Sequence, residues 1–341
     1  MTAIWLAATA CVATMGLAIQ RGATCTVAAV DEVLTHRRAR RLLAMLEASL
    51  WVAGGLALAQ RGHLPGAMPD SFAPSGWTVA GGALLGLGAW INRACVFGAV
   101  ARLGSGEWAY AITPLGFFVG CLSEMTLFRR PHAEALGVAS PLFQAIDIFV
   151  PVFVLFVLWR IGAGLRSRSD RDPDARPHQM IWNPHSATVV IGVSFVITLL
   201  LVGRWAYTDV LADLAQAMSG APGDLALPAV LLLALYGGAL VGGWTTGRWR
   251  STVVSASQLL RCFVGGLVMA WGSLMIPGSN DGLILIGIPL IRPYAWLGFA
   301  SMFCAIAAAM LAQRAWSRSR PTAPAPAQAG MGAHRTAAKD D

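Results

Sequence analysis

The chain has 341 residues, of which 56% are hydrophobic and only 12% charged, and its mean hydropathy is +0.61. A soluble domain carries about twice that charge, so an ordinary water-soluble fold is excluded. The net charge of +8 does not argue for a nucleic-acid partner, because the arginines cluster in short segments between apolar runs (Arg37, Arg38, Arg40, Arg41; Arg160 to Arg176; Arg248, Arg250; Arg314, Arg318, Arg320), the positive-inside pattern of a polytopic membrane protein.

In chain order, about nine runs approach the roughly 20 residues a helix needs to cross hydrocarbon: 2–20, 42–60, 77–101, 107–127, 138–160, 186–203, 225–243, 257–276 and 293–313. Apolar residues run continuously within them instead of alternating, which excludes a transmembrane barrel. The first run lacks a basic n-region and reads as a spanning helix, not a signal peptide. An odd number of spans with the basic clusters inside puts the N-terminus outside and the C-terminus in the cytoplasm, although Arg129 and Arg130 then fall outside, against the rule. Glu47, Glu107 and Glu124 lie near span ends, and Asp147, deeper, calls for an arginine partner that the sequence does not specify. The tail, rich in Ala and Pro, reads as disordered.

The second half of the chain repeats the first. Gly81, Gly82, Gly88 and Gly98 recur 184 residues later as Gly265, Gly266, Gly272 and Gly282. The same offset carries span 2–20 onto 186–204, span 42–60 onto 226–244, and the short segment 23–34 onto 207–218. The last pair is too short to cross and suits a re-entrant or interfacial segment. Corresponding helices five spans apart run in opposite directions, so the repeat is inverted. The expected organisation is a first half over 1–165, a cytoplasmic linker over 166–185, a second half over 186–316 and a tail over 317–341.

Each glycine-rich helix breaks, at Asn92-Arg93-Ala94-Cys95 and at Pro277-Gly278-Ser279-Asn280-Asp281. Broken helices at matching positions of two halves point to a transport site at mid-membrane, since irregular backbone survives there only when buried in protein or lining a cavity. Cys25 and Cys95 stand at such interruptions. A thiol is a weak donor and a weak acceptor suited to a polarizable sulfur ligand, but a free cysteine is also simply a small buried apolar residue, and position alone leaves both readings open. Cys11, Cys121, Cys262 and Cys304 have no motif around them and read as packing. Arg93 and Asp281 are expected to be the most interior ionisable residues, the first able to attract an anion and the second to cap a half-helix. The six histidines (His36, His63, His132, His178, His185, His334) fall in expected loops or tails, and no Cys/His metal spacing exists.

Four segments in order resemble the YeeE/YedE membrane proteins, which include thiosulfate-uptake permeases. Gly16 to Cys25, an apolar helix ending in Gln20-Arg21-Gly22 and then a cysteine, resembles their N-terminal signature. Gly81-Gly82 through Cys95 resembles the second signature. Tyr236 to Gly243, followed by Gly247-Arg248, and Arg261 to Gly282 also look like the family. The resemblance covers most of residues 10–310. It implies an all-α inverted-repeat transporter of the bacterial inner membrane, pinched at its centre, in which three cysteines pass thiosulfate inward by S–H···S contacts. Cys25 and Cys95 match the first two positions. The third is Ser279 here, a harder and stronger donor that favours oxygen over sulfur, and Pro277 also departs from the family's glycine pair.

The resulting expectation is a permease for a small sulfur-containing anion, foremost thiosulfate. Half-helix ends and Arg93 draw the anion in, Cys95 and Cys25 contact its terminal sulfur, and Ser279 and Asn280 supply hydrogen bonds. No cofactor is implied, and the resemblance suggests a cytoplasmic sulfurtransferase or sulfur-carrier partner. The alternatives are a permease for another sulfur or selenium species, and a non-transporting subunit that docks a sulfur-handling enzyme. An intramembrane hydrolase built on Ser279 would need a nearby base, and the spans hold no histidine while Lys339 lies in the tail.

Overall fold

The computed structural model describes residues 2–64, 69–127, 134–169, 182–218, 225–247, 249, 251–276 and 278–319. The expected tail and most of the expected linker, together with Arg129, Arg130, Arg248, Arg250 and Pro277, lie outside the described residues.

The described chain is almost wholly helical. The first half comprises α1 (Thr2–Gly22), α2 (Thr26–His36), α3 (Arg40–Arg61), α4 (Gly76–Asn92), α5 (Val96–Gly104) and α6 (Ile112–Leu127). A short turn α7 (Pro141–Gln144) and the long α8 (Ile146–Ser169) lead to the second half. That half comprises α9 (Pro184–Val202), α10 (Tyr207–Met218), α11 (Ala226–Thr245), α12 (Ala256–Met275), α13 (Asn280–Gly282) with a π-helical turn over Leu283–Gly287, and α14 (Pro293–Ser319). One two-residue antiparallel pair, Ser71–Phe72 with Ala135–Leu136, ties two loops together.

Among the described residues, eight helices or broken-helix pairs are long and apolar enough to span a membrane, which makes the chain a multi-pass membrane protein. The expected span 107–127 resolves into a single 3₁₀ turn, Trp108–Ala111, followed by the 16 residues of α6. The expected span 138–160 starts later and runs further than its composition suggested: Ser140 caps α7 by accepting from the Leu142 amide (3.3 Å), and the helix restarts at Ile146 and continues to Ser169, into the expected linker. Along α8, Ile148, Leu155, Leu158 and Trp159 are all exposed, as a helix at the lipid boundary requires.

The inverted repeat is visible in the packing. Helix α4 crosses α12 through glycines on both sides. A Cβ added at Gly81 would lie 2.7 Å from the Gly272 carbonyl oxygen, and one at Gly88 would lie 2.8 Å from that of Gly265. The pairing is crossed: Gly81 meets the counterpart of Gly88, and Gly88 meets the counterpart of Gly81. Only antiparallel helices related by a two-fold axis do this. The remaining contacts repeat the symmetry, with α1 on α11 mirrored by α9 on α3, and α6 on α12 mirrored by α14 on α4. Helices α4 and α12 even start alike. The Ser75 amide donates to Thr78 Oγ1 (3.1 Å) and the Ser255 amide to Gln258 Oε1 (3.3 Å), each half of a capping box. Helix α8 has no counterpart and connects the halves.

That connector is anchored by charge. Glu47 on α3 accepts from Arg160 Nε on α8 (2.7 Å) and pairs with His185 at the start of α9. Asp147, whose partner was open in the sequence, pairs with Arg61 (2.9 Å).

Candidate functional site

Four helices are interrupted, two in each half, and each interruption follows a residue in left-handed backbone: Ala23 (φ 46°), Arg93 (φ 59°), Gly203 (φ 83°) and Gly278 (φ 127°). That conformation ends a helix by turning the next peptide away from its axis. At Ala23 and Arg93 it carries the strain of a side chain, so the surroundings must hold it. For Arg93 the holding residue is Asn92, whose Nδ2 donates to the Ala94 carbonyl (2.9 Å) while its Oδ1 accepts from Thr113 Oγ1 (3.1 Å).

The chain then enters a new helix through an extended residue. Cys25 precedes α2, Cys95 precedes α5 and Ser279 precedes α13, all as N-caps. Each lends its carbonyl to the amide four residues on: Ala29 to Cys25 (2.9 Å), Ala99 to Cys95 (2.8 Å) and Leu283 to Ser279 (2.8 Å). Three of the sequence-derived site residues therefore occupy one structural role.

They also come together. The Thr26 amide donates to Cys95 Sγ (3.1 Å), which sets Cys95 beside the Cys25–Thr26 turn at the head of α2. Thr26 Oγ1 reaches across the two-fold to Asn280 Oδ1 (3.2 Å). Ser279 Oγ donates to Asp281 Oδ1 (2.6 Å), which also accepts from Thr208 Oγ1 (2.8 Å) and the Gly282 amide (3.1 Å). Cys95 and Asn280 are 0% exposed, Ser279 1%, Asp281 3% and Cys25 8%. Gly98 makes room for Cys25, since a Cβ there would lie 2.5 Å from Cys25 Sγ.

A cavity approaches from each side. One, of about 650 Å³, is walled by Cys25, Arg41, Arg93, Arg102, Arg261 and Arg314 among others. The other, of about 520 Å³, is walled by Asp70, Arg204, Asp209, Asp213, Ser279 and Tyr294 among others. They lie at opposite ends of the same helices: Arg314 and Tyr294 are at the two ends of α14, and Arg261 and Leu274 at the two ends of α12. Cys25 closes the first and Ser279 the second. Cys95, Asn280 and Asp281 line neither and form the waist between them.

Arg93 departs from expectation. It is exposed and stands on the wall of the arginine-lined cavity, not in the waist, because its left-handed backbone directs it out of the break. The arginines that are buried are Arg21 and Arg292, each 5% exposed. Arg21 donates to Thr245 Oγ1 (2.6 Å), and Arg292 to the carbonyls of Val138 (2.9 Å) and Pro69 (3.3 Å), so both serve packing.

Sequence reasoning missed Thr26, Thr208 and Tyr207, the last donating to the Val96 carbonyl (3.2 Å). The repeat offers a signal for them, because α2 and α10 are corresponding half-helices and these residues open them. It also missed Arg102, which no local motif marks, and gave no role to Arg261, which opens one of the family-like segments.

Two antiparallel halves that meet in interrupted helices, with a cavity on either side of a thiol-bearing waist, define a membrane transporter. The chain belongs to the sulphur-transport family, whose model matches residues 21–308 and bears out the YeeE/YedE resemblance of the motifs. It is 23% identical over 335 residues to the thiosulfate transporter TsuA of Escherichia coli (strain K12), a match covering 87% of this chain and 91% of that protein.

Proposed function

We propose that the protein is a thiosulfate permease in which the anion crosses the waist by successive contacts of its terminal sulfur with Cys95 and Cys25. The observation that carries this reading is the placing of Cys95, held by the Thr26 amide next to Cys25, between the two cavities. A thiol can both donate to and accept from a polarizable sulfur, and a closed waist can be crossed by passing the substrate's S–H···S contact from one thiol to the next.

In this reading the arginine-lined cavity is cytoplasmic, the N-terminus is outside and the membrane is the bacterial inner membrane, in keeping with the positive-inside pattern. The anion enters through the cavity that ends at Ser279. Asn280 faces it from the waist, and Arg93, with Arg102 and Arg261, receives it beyond Cys25. A soluble sulfurtransferase or sulfur carrier then takes it up on the cytoplasmic side. Residues 1–165 and 186–316 act as the two halves of the transporter, joined by 166–185.

Ser279 is where this chain departs from the family pattern. A hydroxyl has one hydrogen, and that of Ser279 is given to Asp281, so in this state the third position offers an anion lone pairs and no donor. Labelled thiosulfate uptake into vesicles tests the reading, comparing the native chain, Cys95→Ala and Ser279→Cys. Uptake by the native chain that Cys95→Ala abolishes supports it. Absence of uptake by both the native chain and Ser279→Cys refutes it.

A further inference from the structure

Asp281 is a buried carboxylate without a countercharge. Its Oδ1 receives three donors, whereas its Oδ2 is fully buried and has no hydrogen-bond partner among the described residues. No arginine or histidine forms an ion pair with it among the described residues. The side chains around it are uncharged: Ser279 and Thr208 on Oδ1, Tyr207 next to Thr208 on α10, Tyr236 of α11 edge-on to the Tyr207 ring, and Asn280, which leads to Thr26. On the cavity wall beside Thr208 stands Asp209, with Arg204 on the same wall.

An ionisable side chain held this way inside a membrane protein is costly and usually functional. Here it also sits on the route of an anion, which it repels at contact distance. The repulsion disappears if the carboxylate takes a proton. A protonated carboxylic acid is in addition a weaker acceptor than a carboxylate, so the hydrogens of Ser279 and Thr208, both now committed to Oδ1, become available to the anion. One proton thus removes a negative charge from the waist and releases two donors.

We propose that Asp281 is the proton-coupling group of this protein, and that each anion crosses the waist together with a proton carried on Oδ2. This rests on the permease reading and deepens it. The proton comes from the cavity ending at Ser279, binds Oδ2 as the anion arrives, and leaves into the arginine-lined cavity with the anion, which restores the carboxylate and its bonds to Ser279 and Thr208. No covalent bond of the anion changes. The coupling meets part of an energetic need, because at 100 mV, inside negative, a dianion is excluded on the order of a thousandfold, and one proton halves the charge that crosses and lowers this to about fiftyfold.

The purified chain in proteoliposomes, with a trapped pH-sensitive dye and ³⁵S-thiosulfate, tests this at clamped potential. The native chain should acidify the lumen in proportion to the label taken up, and an inward gradient of one pH unit should raise the accumulated ratio about tenfold for each coupled proton. In Asp281→Asn the ratio of protons to label, which does not depend on rate, should fall to zero, while Asp281→Glu should retain it. Thiosulfate uptake by the native chain with no proton movement overturns the proposal and leaves the permease reading intact, and this result needs no variant to fold. An unchanged proton ratio in Asp281→Asn also overturns the role of that residue. No uptake by the native chain refutes the permease reading and the coupling built on it.

Discussion

The backbone amide of Thr26 points at the sulfur of Cys95 from 3.1 Å. The first free donor of one half-helix is thus satisfied by the side chain of the residue at the head of another, and the two interruptions of the first half lock into one unit. Cys95 is therefore both a contact for a passing sulfur and an acceptor the structure needs.

The two roles separate by substitution. Cys95→Ala leaves a buried amide unpaired, at a cost of about 1–3 kcal/mol, and should lower the thermal unfolding temperature as well as uptake. Cys95→Ser keeps an acceptor and should recover most of the stability without recovering thiosulfate uptake. A Cys95→Ala chain with native stability would show that the Thr26 contact carries no weight.

Gly98→Ala should damage the site more than the fold. The added methyl would lie 2.5 Å from Cys25 Sγ and must displace that thiol. Overpacking typically costs about 1–3 kcal/mol. The expected result is a chain that purifies normally and takes up thiosulfate at least about tenfold more slowly, with Gly76→Ala, where an added methyl meets nothing within 4 Å, as the control.

Arg261 and Arg93 should act together on affinity. Gly265 packs against Asn92, and Arg261, one helical turn earlier on the same face of α12, is thereby brought beside Arg93 on the cavity wall. Arg102, Arg41 and Arg314 are offset by Glu107 (3.2 Å), Glu32 (3.6 Å) and Asp31 (2.8 Å). Arg93→Gln and Arg261→Gln should each weaken anion binding to the purified chain about tenfold, equivalent to about 1.4 kcal/mol, and the effect should shrink as salt is raised. Equal binding at low salt would rule out a role for that cavity in holding the anion.

Glu47→Gln should loosen the join between the halves. The Glu47 side chain is 10% exposed and holds both Arg160 and His185, which are 24% and 28% exposed, so its loss costs more than the roughly 0–1 kcal/mol of a surface pair and less than the roughly 3–5 kcal/mol of a fully buried one. Thermal unfolding of the detergent-purified chain should fall markedly, and limited proteolysis should cut faster between α8 and α9. An unchanged melting curve would show the cluster to be dispensable.

Composition and the glycine spacing were enough to read the membrane class, the number of spans to within their broken members, the repeat and its inversion. Length and hydropathy dictate helices that cross a bilayer, and the four aligned glycines mark the seam at which α4 and α12 approach. The positions of Cys25, Cys95 and Ser279 at the heads of new helices were legible because each follows a break, and breaks announce themselves through Gly, Pro and Asn. Arg93 was misplaced, since sequence gives its position along the chain but not the direction in which a left-handed residue turns its side chain. Thr208 was missed because its partner Asp281 is brought near only by the folding of the second half on itself, and Tyr207 because Val96 lies in the other half. The start of α8 was displaced by a cap at Ser140 that hydropathy does not register.

The crossed glycines of α4 and α12 bring two backbones close enough that a single methyl would collide with a carbonyl oxygen. Met269, Met275 and Ile276 pack against the same glycines and fill the seam, so one half cannot swing against the other as a rigid body without parting there. Turnover must then proceed through rotations of a few residues at the waist, and its rate should be nearly indifferent to bilayer thickness and lateral pressure, unlike that of a carrier whose halves tilt.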